Sequence, residues 1–268
     1  MSQIKIALVG AAGRMGQEIT RAATARAECE IGAAVEYDGC PLIGKDIGEV
    51  SGVGSLNVSV TADLEAAARS CDVILDVSLP TATAGIIDTA KTTTTALVCG
   101  ITGTLEKSVM NKFDEAAATI PVIHTKNFSV GVAVLSALVK QAAAILGPDY
   151  DIEIIEKHHN KKVDAPSGTA QILADAIIDN GAEHSCIYGR EGHTGARSAG
   201  EIGVHAVRGG GIFGEHTVMF IGQNERLELG HVAHTRSLFA EGAVRTAIFM
   251  ATATPGRYTM ADVLGLHR

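Results

Sequence analysis

Short apolar runs alternate with helix-like segments through the first half of the chain. The runs, which predict strands, cover residues 4–9, 30–35, 73–77, 96–99 and 121–123. The segments between them, which predict helices, cover residues 14–26, 63–69, 81–90 and 105–118. Strands that are apolar throughout are buried on both faces, and helical connections join them in parallel. The pattern therefore predicts βαβ units and a parallel sheet.

The pattern changes after residue 128. A long apolar stretch over residues 128–146 predicts one helix. Lys140 and Gln141 interrupt it, which favours a buried helix over a membrane span. Residues 151–159 (DIEIIEKHH) alternate in part and predict a strand.

The rest of the chain predicts a second, different kind of domain. A helix is expected to begin at Ser167 and to stop near Asn180-Gly181. Residues 217–221 and 226–229 predict strands, and residues 236–266 a mainly helical end. We expect an antiparallel or mixed sheet with long loops, hence an α+β domain.

The composition is that of a folded protein with an excess of glycine. Hydrophobic residues make up 46% and charged residues 19% of the 268 residues, which excludes a disordered chain. Glycine accounts for 30 residues, and nine of them fall among the 26 residues from Gly189 to Gly214. We expect this cluster to form loops and contacts between subunits.

Charge and cysteine usage exclude further classes. A net charge of -8 argues against a general nucleic-acid binder. The five cysteines, which form no C-x-x-C pair, argue against a disulfide framework and a thiolate metal site; they are Cys29, Cys40, Cys71, Cys99 and Cys186. With no signal-peptide pattern at its N-terminus, the sequence predicts a cytoplasmic protein without a membrane or metal partner.

The first loop carries a dinucleotide signal. Residues 10–16 (GAAGRMG) follow the first predicted strand and open the first predicted helix. The glycines permit a sharp turn, a close approach of backbone N–H groups to a pyrophosphate, and tight helix packing. Glu36 follows the second strand, 20 residues after Gly16, where an acid can bind the adenine ribose. The alternative is a turn that serves only helix packing, with Glu36 a solvated acid.

The residues after Glu36 bear on the choice of cofactor. Residue 37 is tyrosine, and no lysine or arginine occurs before Lys45. A protein that selects a 2′-phosphate usually places a basic residue beside the acid. We therefore expect NADH to be preferred over NADPH, although Arg14 in the loop could accommodate a phosphate.

A second signal lies at residues 156–169 (EKHHNKKVDAPSGT). A histidine can donate a proton near neutral pH, and a lysine can offset developing negative charge. The backbone N–H groups of a helix that begins near Ser167 suit a carboxylate. Together these residues predict a site that binds and protonates a small anion. The alternative is a solvated basic turn capped by Asp164 or Ser167.

Four segments, in this order, resemble one known family. They are GAAGRMG, EKHHNKKVDAPSGTA, GEHTVMF at residues 214–220 and FAEGAVRTA at residues 239–247. The chain resembles the 4-hydroxy-tetrahydrodipicolinate reductase (dihydrodipicolinate reductase) family over essentially its whole length. The resemblance implies NAD(P)H-dependent reduction of a cyclic dicarboxylate in the diaminopimelate route of lysine biosynthesis. Hydride would go to ring C4 of the substrate.

The resemblance also implies a domain organisation and site roles. A Rossmann-like dinucleotide domain would comprise residues 1–128 and 239–268, and a smaller α+β domain, residues 129–238, would bind substrate and form a homotetramer. His158 matches the proton donor and Lys162 the second catalytic cation, while His159, Gly168 and Thr169 match substrate contacts. The implied cofactor contacts are Gly10, Ala11, Ala12, Gly13, Arg14, Met15, Glu36, Gly100, Ile101, Thr102, Thr125, Lys126, Asn127 and Phe128. The chain departs from common family residues at Ala12, Tyr37 and Ile101.

Two other functions remain open from the sequence. A different Rossmann dehydrogenase that acts on a small anion, such as an amino-acid semialdehyde, would need a nucleophilic cysteine in the second domain. The only candidate there is Cys186, which lies in no recognisable nucleophile motif. A nucleotide sensor without activity would explain the glycine loop but would leave the His-Lys cluster without a role.

Overall fold

The structure is a computed structural model that describes residues 3–178 and 184–266. The chain divides into two compact units, one formed by Met1–Phe128 with Ser237–Arg268 and the other by Ser129–Arg236. Each unit has its own sheet and its own hydrophobic core.

The sheet of the first unit contains seven strands, all parallel. They are β1 (Ile4–Val9), β2 (Cys29–Val35), β3 (Val60–Thr61), β4 (Val73–Asp76), β5 (Ala96–Cys99), β6 (Pro121–His124) and β12 (Gly256–Tyr258). Their order is β12-β6-β5-β4-β1-β2-β3. Because the order reverses between β1 and β4, the carboxyl ends of these two strands flank the crevice where a doubly wound sheet binds its ligand.

Helices join and cover these strands. They are α1 (Arg14–Thr24), α2 (Ile47–Ser51), α3 (Leu64–Arg69), α4 (Thr83–Thr93), α5 (Lys107–Ala117), α8 (Ser237–Met250) and α9 (Met260–Leu264). Every residue of β4 and β5 is buried, as expected for strands covered on both faces. The predicted parallel sheet is confirmed.

The second unit has a mixed five-stranded sheet. Its strands are β7 (Asp151–His158), β8 (Ser185–Ile187), β9 (Glu201–Arg208), β10 (Glu215–Ile221) and β11 (Arg226–Val232), in the order β11-β10-β7-β9-β8. Strand β10 is antiparallel to β7 and β11, whereas β9 is parallel to β7 and β8. Helices α6 (Val130–Leu146) and α7 (Gly168–Ile178) contribute to the same core as the sheet, and Gly147–Asp149 forms a 3₁₀ turn. The predicted mixed sheet is confirmed.

One sequence prediction needs correction, a second needs an addition, and a third falls outside the described residues. The glycine-rich region 189–214 is not only loops, because β9 lies within it and residues 202–208 of that strand pair with β7. The end of the chain is mainly helical, as predicted, and it also contains β12, which extends the first sheet beside β6. The helix stop expected at Asn180-Gly181 lies outside the described residues.

Helix α6 is only partly buried, contrary to expectation. Leu135 and Val139 belong to the core of the second unit, but Leu138 is 46% and Ile145 76% exposed. By length and composition the stretch Val130–Asp149 could cross a membrane. Its packing on α7 and the sheet is that of a helix in a folded domain.

Candidate active site

Glycine is required in the loop between β1 and α1. Gly10 has a φ of +79°, and a Cβ there would lie 3.0 Å from the backbone of Ser78. A Cβ on Gly16 would collide with the carbonyl oxygens of Gly10 and Ala11. Backbone atoms cannot yield as a side chain can, so both positions exclude larger residues. The loop turns tightly and α1 packs closely upon it.

The loop ends in a helix N-terminus that suits an anion. Gly13 is the N-cap of α1 and provides no side-chain cap, and Arg14 and Met15 form the start of the helix. The first N–H groups of a helix have no intrahelical acceptor and carry partial positive charge. These groups, next to a loop that requires glycine at positions 10 and 16, fit a pyrophosphate.

Glu36 is bound to this loop. It follows β2, and its carboxylate accepts a hydrogen bond from the Ala12 N–H at 2.8 Å. The N–H groups of Gly10 and Ala11 donate to Val35 O at 2.9 and 3.3 Å. The acid predicted to bind ribose therefore also holds the glycine loop in place.

A cavity of about 600 Å³ lies beside the loop and contains three of the predicted residues, Gly10, Gly13 and Glu36. Tyr37, which bears on the choice of cofactor, also lines this cavity. The remaining lining residues were not predicted; they are Val9, Val35, Asp38, Ala62, Leu64, Val77, Ser78, Leu79, Thr81, Ala82, Gly85, Ile86 and Thr89. Residues 77–82 could have been predicted from their place in the sequence, because they directly follow a parallel strand and ligands bind at the carboxyl ends of such strands.

The loops after β5 and β6, which carry the predicted cofactor contacts Gly100 and Phe128, touch each other. The Phe128 ring occupies the space that a Cβ on Gly100 would need. Ile101 is buried, and its carbonyl oxygen lies 3.1 Å from His124 Nε2. Thr102 and Lys126 are exposed.

The second of these loops is closed by a local hydrogen-bonded turn. The Thr125 hydroxyl donates to Asn127 O at 2.9 Å and accepts from the Asn127 N–H at 3.2 Å. Since β5 and β6 are parallel to β1, both loops lie at the carboxyl edge of the sheet, together with the glycine loop.

Asp76, at the end of β4, was not predicted to have a role. It is fully buried, and burial raises the pKa of its carboxyl group. One of its oxygens accepts from the Ser78 N–H at 2.9 Å and from the Ser78 hydroxyl at 2.6 Å. Its backbone oxygen accepts from the Gly100 N–H at 2.8 Å. Asp76 thus holds the loops after β4 and β5.

In the second unit, His158 is the last residue of β7 and is buried. Its Nδ1 lies 2.6 Å from a carboxylate oxygen of Glu156. Burial lowers the pKa of His158 more than Glu156 raises it. His159 has left the strand and is half-buried, and its Nδ1 accepts from the Lys161 N–H at 3.2 Å. The two adjacent histidines therefore have different environments.

Glu156 is fully buried and satisfied on every side. Besides His158, it accepts two hydrogen bonds from Arg208 at 2.7 Å and one from the Ser167 N–H at 3.0 Å. Burial would raise the pKa of Glu156, but these donors together hold it below its ordinary value. A buried carboxylate anion is stable here because every lone pair has a donor.

Lys162 lies in the turn that follows β7. Its Nζ donates to both carboxylate oxygens of Asp164, at 2.8 and 2.9 Å. This ion pair lowers the pKa of Asp164. The backbone oxygen of Asp164 accepts from Arg208 at 2.8 Å. Arg208 therefore links the turn of Lys162 to Glu156 and His158.

Helix α7 begins next to the same cluster. Gly168 and Thr169 are its first residues, and the Ser167 hydroxyl caps it by accepting from the Ala170 N–H at 3.2 Å. Ser167 Oγ also lies 3.0 Å from Nε2 of His216, a buried residue on β10 whose pKa burial lowers to about 3. The His216 ring meets that of His158 edge-on, with centroids 5.2 Å apart.

Sequence reasoning missed Glu156, Arg208 and His216. Glu156 had a usable signal, since it shares its alternation with Ile152, Ile154 and His158 and must face the same side of the strand. Arg208 had none, because it lies in the stretch predicted to be loops.

Comparisons with known proteins cover both units. The family described as "Dihydrodipicolinate reductase, N-terminus" matches residues 4–128, and "Dihydrodipicolinate reductase, C-terminus" matches residues 131–264. A 4-hydroxy-tetrahydrodipicolinate reductase from Alkalilimnicola ehrlichii is 46% identical over 98% of this chain and 99% of that protein. One from Acinetobacter baumannii is 44% identical over 98% of this chain and 97% of its own length.

Solved structures agree. The dipicolinate-bound dihydrodipicolinate reductase from Paenisporosarcina sp. TG-14 matches with a TM-score of 0.76 at 26% identity, over 96% of this chain and 97% of that chain. An amine dehydrogenase from Mycobacterium smegmatis, at 15% identity and a TM-score of 0.65, shares the fold. The glycine loop, the buried His-Glu pair and the matches along both units lead to one conclusion: the chain belongs to the dihydrodipicolinate reductase family.

Proposed function

We propose that His158 donates the proton, and Lys162 offsets negative charge, in the reduction of 4-hydroxy-tetrahydrodipicolinate, via dihydrodipicolinate, to tetrahydrodipicolinate. Membership of the family makes the chain an oxidoreductase of lysine biosynthesis that uses NAD(P)H. The observation that carries the residue roles is the 2.6 Å contact between His158 Nδ1 and the buried carboxylate of Glu156.

The first unit supplies the cofactor site in this proposal. Backbone N–H groups at Gly13–Met15 would hold the pyrophosphate, Glu36 the ribose, and the loops at Gly100–Thr102 and Thr125–Phe128 the nicotinamide end. When bound, the reduced nicotinamide supplies a hydride for ring C4 of the substrate.

The second unit supplies the anion site. The N-terminus of α7, at Gly168 and Thr169, would bind one ring carboxylate through backbone N–H groups. His159 and Lys162 add positive or hydrogen-bonding groups for the carboxylates. A Cβ on Gly168 would meet no atom within 4 Å, so the helix end is open to a ligand.

His158 is suited to deliver one proton. With Nδ1–H donating to Glu156, Nε2 is the atom that can exchange a proton with substrate. Burial keeps the pKa of His158 low before substrate binds. The charge of a bound dicarboxylate raises that pKa, so that the proton is held where the reaction consumes it. Lys162 then stabilises the negative charge that the ring gains before it is protonated.

A coupled assay tests these roles. The product of dihydrodipicolinate synthase is supplied with NADH, and absorbance is followed at 340 nm. We expect His158→Gln to lower kcat by about 100- to 1000-fold, the usual contribution of a general acid, with a small change in KM. His193→Gln, at an exposed histidine outside both sites, is the control. A His158→Gln enzyme with unchanged kcat would refute the proton-donor role.

We also propose that NADH is preferred over NADPH. Glu36 and Asp38 both line the cavity beside the glycine loop, and none of its described lining residues is lysine or arginine. Two carboxylates repel a 2′-phosphate. We expect a higher kcat/KM with NADH than with NADPH. Asp38→Arg should lower the ratio of kcat/KM with NADH to kcat/KM with NADPH. An equal or higher efficiency with NADPH contradicts this proposal.

A homotetramer formed through the second unit is a further proposal. One face of the mixed sheet packs on α6 and α7, which leaves Ile155, Met219 and Ile221 of the other face half-buried. Apolar residues on an uncovered sheet face favour association with another copy. Light scattering coupled to size-exclusion chromatography should give four times the mass of 27.7 kDa. A monomer mass at micromolar concentration would refute it.

A further inference from the structure

Glu156 is a buried anion with only one partner that changes charge during the proposed reaction. His158 can be neutral or protonated, whereas Arg208 remains charged and the Ser167 N–H cannot titrate. The carboxylate cannot move toward His158 or away from it without losing donors that nothing else replaces. Its position, and hence the orientation of the His158 ring, is fixed by Arg208 and Ser167.

Arg208 reaches two parts of the candidate site with one guanidinium group. Nη1 and Nη2 each donate to Glu156 at 2.7 Å, and Nη2 also donates to the Asp164 backbone oxygen at 2.8 Å. Asp164 is the partner of Lys162. One planar fork therefore sets the positions of both proposed catalytic side chains.

The backbone after β9 strengthens this link. The Gly209 N–H donates to His158 O at 2.9 Å, and the Asn160 N–H donates to Gly210 O at 3.3 Å. The end of the glycine-rich region is therefore hydrogen-bonded to the turn that begins at His158. This gives a function to part of a segment that was expected to form loops and contacts between subunits.

We propose that Glu156 and Arg208 are a positioning pair for the reaction: Glu156 holds the His158 ring with its proton on Nδ1, and Arg208 holds Glu156 and the Lys162 turn in register. The proposal rests on the proposed proton-donor role of His158. Neither residue needs to touch substrate, and both act through His158 and Lys162.

The charges that face His158 predict the effect of removing Glu156. Glu156 on the same strand is an anion, while Arg208 on β9 and Lys162 in the turn are cations. His216 on β10 contributes a neutral ring, and Asp164 is paired with Lys162. Without the Glu156 charge, the remaining cations disfavour a protonated His158. The rate should then decline with rising pH at a lower pH than in the wild type.

The experiment compares Glu156→Gln with Glu153→Gln. Glu153 is on the same strand and also binds arginine and histidine, but it lies on the other face. We expect Glu156→Gln to lower kcat by about 10- to 100-fold, less than the loss of the general acid itself, which contributes about 100- to 10,000-fold. KM should change little, and the alkaline limb of the pH profile should move to lower pH. Glu156→Asp, which keeps the charge, should return that limb toward its original pH, and Glu153→Gln should keep the wild-type kcat and profile.

The single variant His158→Gln and the double variant with Glu156→Gln distinguish a failure of the proton-donor role from a failure of the positioning pair. If His158→Gln keeps its activity, the proton-donor role has failed, whatever Glu156 does. If His158→Gln is impaired but Glu156→Gln keeps both kcat and pH profile, only the positioning pair is refuted. In the double variant, Glu156→Gln should add little to His158→Gln, because it acts through that residue.

The wild-type protein provides a test that needs no variant. In ¹⁵N NMR spectra of the imidazole groups, neutral His158 should carry its proton on Nδ1. A proton on Nε2 would overturn the proposal, even if Glu156→Gln does not fold.

Discussion

Strand β7 carries two glutamates whose carboxylates both bind arginine and histidine, yet the two clusters have different tasks. Glu156, on the inner face toward the helices, binds Arg208 and His158. Glu153, on the outer face, binds Arg190, Arg197 and His205. They are three residues apart, and side chains alternate along a strand, so they point to opposite sides.

Burial separates the two clusters. The side chain of Glu156 has no exposed surface, whereas that of Glu153 is 13% exposed. The inner cluster also includes a backbone N–H, from Ser167, and so ties together a strand, a turn and a helix start. The outer cluster holds two arginines of the glycine-rich region against β7. In our proposal, the same ion chemistry orients the reacting groups on one face of the sheet, and on the other face it anchors the glycine-rich segment.

The lysines of the two faces give the largest expected contrast. Lys162 belongs to the inner cluster through Asp164, whereas Lys157 pairs with Glu215 on the outer face at 3.0 Å. Lys162→Ala should lower kcat by about 100- to 1000-fold, the loss expected when one stabiliser of transition-state charge is removed. Lys157→Ala should stay near the wild-type value in the same assay. Similar losses of kcat in Lys162→Ala and Lys157→Ala would contradict the proposal that only the inner face takes part in the reaction.

The pH dependence of stability should also differ between the faces. Burial lowers the pKa of His216 to about 3, so the folded state stays neutral while an unfolded histidine takes up a proton below about 6.5. Stability is therefore lost as the pH falls from 6.5 toward 3, by up to about 1.4 kcal/mol per pH unit for this one group. His158 and His231, whose pKa values burial also lowers, add to the slope.

Glu153 acts in a different pH window. Burial would raise its pKa, but Arg190 and His205 hold it below the ordinary value of 4.5, so its contribution is present above that pH and lost below it. The free energy of unfolding is measured by denaturant titration at several pH values between 6.5 and 5. His216→Gln should make this free energy depend less on pH, and Glu153→Gln should leave its pH dependence unchanged. A weaker pH dependence of stability in Glu153→Gln over this range would contradict the assignment of Glu153 to the lower pH window.

If Glu153 anchors the segment of Arg190 and Arg197, its loss should loosen that segment to an intermediate degree and leave kcat unchanged. Glu153→Gln weakens charged hydrogen bonds to Arg190 and Arg197, each worth about 1.5–3 kcal/mol. Trypsin should cleave faster after these two arginines, while kcat is retained. Glu225→Gln, at an exposed acid paired with Tyr150, is the control for general loosening. Unchanged cleavage would show that the segment is held by other contacts.

The smallest expected effect comes from Gly203 on β9. A Cβ at this position would collide with the carboxylate of Glu153 and push it away from its partners. Gly203→Ala should therefore repeat the faster trypsin cleavage of Glu153→Gln, more weakly because the glutamate side chain can shift. Combining the two substitutions should add little, since both act on one carboxylate. Additive effects would show that Gly203 acts by another route.

Most of the first unit could be predicted from the sequence because burial imposes it. Strands β1, β4 and β5 are apolar runs except for Lys5 and Asp76, and such runs between helical patterns have few alternative structures. Strand β12 could not be found in this way. Its three residues are a strand only because they pair with β6, a contact that is far away in sequence.

The candidate site was predictable where local chemistry is visible and hidden where tertiary contacts create it. His158 and Lys162 lie in one short motif with the start of α7. Arg208 lies among glycines, and its strand β9 reads as a loop because Gly203 has to leave room for Glu153. From its residue type alone, Glu156 would be expected in solvent. Only the alternation of side chains along β7 places it on the buried face with His158.

The hydrogen bond between Glu36 and the Ala12 N–H has a consequence for protein engineering. A designer who wishes to redirect the enzyme to the other nicotinamide dinucleotide would naturally replace the acid at the end of β2. Here that acid also holds the glycine loop that we propose as the pyrophosphate site. Its replacement would therefore disturb the grip on either cofactor, and redesign should start from the neighbouring Tyr37 and Asp38, which line the same cavity from its exposed side.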